Sequence, residues 1–394
     1  MVVLELVLLG LIFEVLSGGR GAPVMAWPVN VILGAGLLVL LPVTYFLFRK
    51  KHFVKWLSGI PAAISAITFF AFVILLLGFI PQDDPHAGNI VRLIGLDHVK
   101  HSWLMMTAGM YFLVTLGFVA LRRMKPLNLK NIGFLLNHAG LWIIIAAGYL
   151  GAGDLQRMNI TLAEGHDFTS KAEDQKTGKI VDMPFSVKLN DFYIDQYNPK
   201  MGLLDKRTGK IYNEDENAVA AVEEGGVGHI LDWNIEVLEY LPDALRTGGK
   251  YFRADSTGSA PAARLRAINT ATGDTMTGWI SCGSYRVMYQ HLDLGRHYFL
   301  VMLFPEARKY ASEVSVMTPD GGSGNITLEV NKPTRIAGWE LYQLSYDDRM
   351  GKWSRVSILE AVRDPWLPVV YTGTFLLLAG AVYLFLKGRE NKET

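Results

Sequence analysis

The chain has 394 residues, 50% of them hydrophobic and 19% charged, with one cysteine and a formal net charge of +1. A soluble domain carries about 25% charged residues, so this composition indicates several membrane spans joined to a sizeable water-exposed part. The lone Cys282 excludes an internal disulfide framework, a CxxC redox pair, a CxxCH attachment sequence and a zinc site of several cysteines. The near-neutral charge gives no reason to expect a nucleic acid.

Residues 2–17 (VVLELVLLGLIFEVLS) open the chain with an apolar run that is short for a span. Glu5 and Glu14 within it would be costly in lipid. The run is either a short first span or a helix lying in the interface or packed on a partner. It makes a poor signal peptide, without a basic start or a small-x-small cleavage site. Five later stretches approach the roughly 20 apolar residues that cross a bilayer: 29–48, 60–80, 102–121, 132–152 and 366–386.

Basic residues set the sides. Arg49, Lys50, Lys51 and Lys55 follow the first stretch; Arg122, Arg123, Lys125 and Lys130 follow the third; Lys387, Arg389 and Lys392 follow the fifth. If each stretch crosses once, all three clusters fall on one side, which is the cytoplasmic one. The 81–101 loop and the long 153–365 segment then lie outside. The expected fold class is a multi-pass α-helical membrane protein with a large β-rich extracytoplasmic domain between the last two spans. Its parts are an N-terminal extension (1–57), a three-span core (58–152), the outer domain (153–365), and the final span with a cytoplasmic tail (366–394).

Within 153–365 the periodicity is mostly two. Residues 185–192 (FSVKLNDF) and 233–240 (WNIEVLEY) alternate in part, and 298–304 (YFLVMLF) is a continuous apolar run of the kind a fully buried strand shows. Short strands recur between turn signals at Thr208-Gly209, Thr272-Gly273-Asp274 and Pro319-Asp320-Gly321-Gly322. A sandwich or barrel-like domain follows, large enough to bury its own core without disulfides.

Nine histidines are the candidate ligands. His138 lies inside the fourth stretch, where an ionisable side chain is a functional hypothesis by default. It is either an iron ligand, a role that neutral imidazole suits, or a group hydrogen-bonded to a neighbouring helix. His98 and His101, spaced i, i+3, precede the third stretch and share a face if that helix starts early. They could then hold a metal or a haem at the outer surface. His52, His86, His166, His229, His291 and His297 form no HxH or HExxH pattern and read as surface residues. Asp364-Pro365 and Tyr342-Gln343 read as joints between domain and membrane. No GxSxG, P-loop or dinucleotide fingerprint is present. A single deep histidine cannot by itself build a bis-histidine haem site, so iron at His138 needs a second ligand from His101, a partner subunit or water.

Seven short segments, in order, resemble a known family. They are 77–82 (LGFIPQ, with Phe79 where Thr is common), 98–104 (HVKHSWL, lacking a second Trp) and 137–141 (NHAGL). Next come 163–165 (AEG) with 184–192 (PFSVKLNDF), then 338–347 (GWELYQLSYD) and 364–373 (DPWLPVVYTG, with Trp366 for Gly). The pattern is similar to the ResB/CcsB proteins of System II cytochrome c biogenesis, over about residues 58 to 388. The resemblance implies a bacterial cytoplasmic (inner) membrane protein with its large domain on the periplasmic side. It implies a CcsA/ResC-type partner with a tryptophan-rich segment; this chain has no WxWD, so the partner is a separate polypeptide. The pair would move haem b across the membrane and support its attachment to apocytochrome c, in concert with membrane lipid and, in some settings, a thiol-disulfide reductant. The family's intramembrane histidine, an axial ligand to haem in transit, matches His138. No independent catalytic set is evident. The rival expectation is a haem-free membrane scaffold that recruits apocytochrome or thiol-reducing proteins. An electron-transfer subunit is disfavoured by the missing second deep histidine.

Overall fold

The computed structural model describes residues 1–125, 128–212 and 218–390. The chain divides into two compact units, Met1–Gln156 with Arg363–Thr394, and Arg157–Val362.

The first unit is helical: α1 (Val2–Leu16), α2 (Val29–Phe48), α3 (His52–Leu57), α4 (Ile60–Phe79), α5 (Asn89–Leu93), α6 (Trp103–Arg123), α7 (Leu129–Gly151) and α8 (Leu367–Glu390). Five of them, α2, α4, α6, α7 and α8, are long and apolar enough to cross a membrane, and they fall on the five stretches expected from the sequence. Helix α1 has 15 residues. At 1.5 Å per residue it is about 22 Å long, short of the roughly 30 Å of hydrocarbon. It packs instead along α4 and α6, with Val3 and Val7 against the cluster around Phe69 and Met105 and Gly10 close against the Leu104 backbone. Residues 2–17 therefore contain a helix that packs on α4 and α6 of the same chain and is shorter than a full-length span. Glu5 is exposed while Glu14 is only 1% exposed.

Consecutive long helices run in opposite directions. At one end of the unit the end of α1 meets the start of α6, and the end of α7 meets the starts of α2 and α8. At the other end Arg122 reaches the turn before α4, Lys125 lies over Phe46 of α2, and Gly133 of α7 abuts Tyr383 and Leu384 of α8. Three of the basic clusters' segments thus share one end; Lys392 lies outside the described residues.

The α7–α8 contact is a small-residue interface. A Cβ on Gly140 would stand 2.5 Å from the Gly373 carbonyl oxygen, and one on Gly380 would stand 2.7 Å from the Asn137 nitrogen. Backbones can approach this closely only where side chains are absent, which is how helices gain packing where water supplies no hydrophobic drive. With its amide placed to satisfy both atoms, Asn137 donates to the Leu377 carbonyl (3.1 Å) and accepts from the Ala381 N–H (3.2 Å). Gly140 is thereby committed to a neighbouring helix.

The second unit is β-rich. An eight-stranded sheet runs in the order Ser323–Glu329, Ala307–Met317, Ile180–Gln196, Thr169–Asp174, Gln156–Ala163, Val356–Arg363, Trp339–Tyr346, Thr334–Ile336. It encloses one core, with Ile160, Leu189, Val314, Leu328 and Leu341 buried. A second core, around Leu203, Ile235, Leu265, Ile280 and Leu300, lies among a five-stranded and a four-stranded sheet. The partial alternation of 185–192 has a local cause. Phe185, Val187 and Leu189 point inward, Asn190 is an extra residue opposite the 313–314 step, and the phase returns with Phe192 inward. The apolar run 298–304 is shorter as a strand than as a pattern: it ends at Met302, and Phe304 is exposed.

Three hairpin turns share one device. In Asp174–Gly178, Asp205–Gly209 and Asn269–Gly273, the first side chain accepts from the N–H groups two and three residues on. The glycine closes each turn at φ of 65°, 67° and 78°, a region that costs side-chain-bearing residues about 1–2 kcal/mol. Tyr342-Gln343 is not a joint between domain and membrane. Gln343 is buried in the eight-stranded sheet, where Ser312 Oγ (2.5 Å) and Ser357 Oγ (3.1 Å) donate to its Oε1.

Gly140→Val should force α7 and α8 apart, at a cost of about 2 kcal/mol or more because backbone cannot yield as a rotamer does. Thermal unfolding of the detergent-purified protein checks this. Gly36→Val, at a position with open space around it, should leave the midpoint nearly unchanged.

Candidate functional site: an intramembrane imidazole

Helix α7 is fixed on two sides. Toward α8 it presents Gly133, Asn137 and Gly140. Toward α6 it presents Leu141, Trp142, Ile145 and Tyr149. Trp142 Nε1 donates to the Leu113 carbonyl (3.1 Å), and Tyr149 Oη donates to the Met105 carbonyl (2.9 Å). These bonds let an indole and a phenol sit at membrane depth without leaving a donor unpaired.

His138 stands on this braced helix, half-buried. Its ring stacks on Phe134 one turn earlier, with centroids 3.6 Å apart and planes 23° apart. Nδ1 lies 2.9 Å from the Phe134 carbonyl oxygen. A carbonyl only accepts, so Nδ1 carries the proton and, in the neutral ring, Nε2 keeps its lone pair. Among the described residues no hydrogen-bond partner is found for Nε2. A second-atom hydrogen bond that sets the tautomer and leaves the other nitrogen as donor is the arrangement found at metal-bound imidazoles. Arg123, at the end of α6, places its guanidinium carbon 5.3 Å from the Phe134 ring centroid.

The other histidines separate from this site. Helix α6 starts at Trp103, with Ser102 Oγ accepting from the Met105 N–H (3.2 Å), so the i, i+3 pair is not carried on its first turn. His98 uses both ring nitrogens on carboxylates: Nε2 on Glu14 Oε1 (3.0 Å) and Nδ1 on Asp97 Oδ1 (2.6 Å). His101 is exposed, and its carbonyl accepts from the Ala22 N–H (2.7 Å). His101 lies beside the start of α6, whereas His138 lies thirteen residues before the end of α7 that packs there, about 20 Å away by helical rise. One iron cannot take both. Among the described residues no group of three or more His, Cys, Asp or Glu is arranged to hold a metal ion.

Two carboxylates organise the same end of the bundle: Glu14, whose cost in lipid the sequence signals but not its partners, and Asp154, which the sequence does not mark out. Glu14 accepts from the Gly21 N–H (2.8 Å), the Trp103 N–H (2.8 Å) and His98, and so ties α1 to the N-terminus of α6, where the helix dipole favours a negative charge. Asp154 accepts from the Trp27 N–H (2.7 Å), Asn30 Nδ2 (2.6 Å) and Trp366 Nε1 (2.7 Å), joining α2, α7 and α8. The signal for Glu14 was its position: one acid near the end of an otherwise apolar helix.

Cys282 is buried at 3% exposure in the second unit, and burial pushes its thiol up to about 11. A thiol held protonated is a poor nucleophile, and burial limits access to it.

Residues 128–213 match the ResB-like family. The matched range begins at the N-cap of α7, contains His138, and runs through the AEG and PFSVKLNDF segments into the β-rich unit. The match points to a role in cytochrome c biogenesis. No curated protein matches the chain.

Two outcomes check the site's surroundings. Burial pushes the His98 ring down, but its bonds to Glu14 and Asp97 and their charges outweigh this and raise it above 6.5. A raised folded value means the contribution to stability is complete below pH 6.5 and is lost as pH rises through the folded value. The thermal midpoint should therefore fall over that alkaline step. In His98→Ala the step should vanish, with an overall loss on the order of 3 kcal/mol from the uncompensated Glu14. Separately, Cys282 should resist a thiol reagent at pH 8 until denaturant is added, and then react stoichiometrically.

Proposed function

We propose that the chain is the membrane subunit of a System II cytochrome c assembly complex, in which His138 provides one axial ligand to haem b in transit through the membrane. The observation that carries this reading is the His138 tautomer: Nδ1 is spent on the Phe134 carbonyl and Nε2 is left as a lone-pair donor on a helix braced from both sides. The haem would bring an iron that accepts such a nitrogen. The chain's part is to hold the imidazole neutral, correctly protonated and fixed in direction. Because no second imidazole stands at that depth, the opposite ligand comes from the CcsA/ResC-type partner or from water, and retention of haem depends on the complex.

The orientation follows from charge. Arg49, Lys50, Arg122, Arg123, Lys125 and Lys387 belong to segments at one end of the helical unit, and the positive-inside rule assigns that end to the cytoplasm. The β-rich unit, entered from the opposite end of α7, is then periplasmic, where apocytochrome c and a thiol-disulfide reductant would meet the complex. The chain's own thiol is buried, so thioether chemistry draws on the thiols of the apocytochrome.

Co-expression with a tryptophan-rich partner tests the reading. His138→Ala should accumulate normally, since the side chain contacts its own helix, yet the complex should lose most of its Soret absorbance and its cytochrome c yield. Added imidazole should restore part of the band in His138→Gly. Undiminished haem and cytochrome in the variants would favour the scaffold reading.

A further inference from the structure

The Phe134 ring beside His138 has a second neighbour that the ligand role does not use. The His138 imidazole stacks on the Phe134 ring at 3.6 Å, and the Arg123 guanidinium lies over the same ring at 5.3 Å. These contacts join the end of α6 to the second turn of α7. Cations near Arg123 already have neighbours: Arg122 Nη1 donates to the Ser58 carbonyl (3.0 Å), and Lys125 sits 5.1 Å over Phe46. Among the described side chains no carboxylate pairs with Arg123, and residues 49–59 and 122–138 contain no Asp or Glu. A guanidinium on an aromatic face, at the rim of the hydrocarbon and without an acidic partner among the described side chains, is prepared for an anion that arrives with a planar apolar body.

Haem has that form. Its two propionate carboxylates hang from one edge, several bonds from the iron, and desolvating them is costly unless a cation meets them. Arginine meets a carboxylate through two parallel N–H donors, a geometry that also fixes direction. We propose that Arg123 is a positioning residue that pairs with the propionate edge of the haem whose iron His138 takes, so that the macrocycle sits with its acidic edge toward the basic end of the bundle. This rests on the ligand reading above. It adds that the site recognises the free acid and imposes one orientation. The competing use for such a residue is snorkelling to a lipid phosphate.

The test compares haem with its dimethyl ester, which keeps the iron and the ring but carries no charge at that edge. Both are titrated into the full chain in complex with its partner and followed by the Soret band. Wild type should prefer haem over the ester by about tenfold or more, the scale of a charge-assisted hydrogen bond. Arg123→Ala should abolish the preference by weakening haem alone, with ester affinity unchanged and the band still dependent on His138. If Arg123→Ala does not accumulate, Arg123→Lys should keep part of the preference and Arg123→Gln should lose it. A His138-dependent band with the same preference in wild type and variants, or with none in wild type, overturns the role of Arg123 and leaves the ligand reading intact. A preference that follows the anionic lipid content of the nanodisc rather than the Arg123 side chain assigns the residue to lipid and overturns it too. A band indifferent to His138 overturns both.

Discussion

In a bilayer a polar group has no water to fall back on, and the helical unit is organised by that constraint. Each polar side chain at depth or at a helix end must find its partner within the protein. Trp142 and Tyr149 reach carbonyls of α6, Asn137 bridges one turn of α8, and Ser65 Oγ pairs with Tyr111 Oη at 2.8 Å. Among the described residues, Trp103 Nε1 and His138 Nε2 depart from this pattern. Trp103 Nε1 is buried without a partner and is a donor only, so it cannot take a metal. His138 Nε2 carries a lone pair, and a lone-pair donor is what an iron requires. The constraint that settles the other polar groups therefore singles out this one as chemically unspent.

The carboxylates at the opposite end apply the same rule to charge. Glu14 and Asp154 each gather three donors from different segments. Glu14 is buried and Asp154 half-buried; three well-placed donors make a buried carboxylate tolerable, and losing one from Glu14 weakens the compensation of a charge in an apolar setting. Such nodes contribute less to net stability than to geometry: they fix which helix ends meet. Asp154 stands three residues beyond α7 and bonds the starts of α2 and α8, so the segment leading out of the bundle is anchored where it leaves. That anchoring and the glycine interface with α8 together determine the direction of α7, and hence of His138.

The sequence made the spans legible because length and hydropathy are local properties, and the five stretches coincide with five helices. The β-rich character of 157–362 was legible for the same reason, through period-two patterning and Gly-centred turns. What was hidden was whatever depends on distant residues. The bulge at Asn190 breaks an alternation that otherwise reads as irregular, and only the opposing strand reveals it. The His98 and His101 spacing suggested a shared face, but Glu14, more than eighty residues away, takes His98 for itself. Tyr342-Gln343 looked like a junction, yet Ser312 and Ser357 draw Gln343 into a core. His138 itself was legible as a rare residue at depth; its tautomer was not, because that depends on where the Phe134 carbonyl lies relative to the ring.

These features fit a site made to hold its cargo temporarily. A resident cofactor is best retained by two strong ligands from one chain and a closed apolar cavity. Here one chain offers a single directed nitrogen, a half-buried ring and a cation over the neighbouring Phe134 ring, so on the proposed reading occupancy would be left to a second subunit. On the proposed reading, splitting the ligand set would make affinity depend on assembly: the free chain would bind weakly and the complex well, because the second ligand would act at the high effective concentration that docking supplies. Release can then follow from any change that withdraws the partner's ligand, without rearranging α7. A helix braced by Gly140, Trp142 and Tyr149 suits that role, since its imidazole presents the same geometry before the cargo arrives and after it leaves.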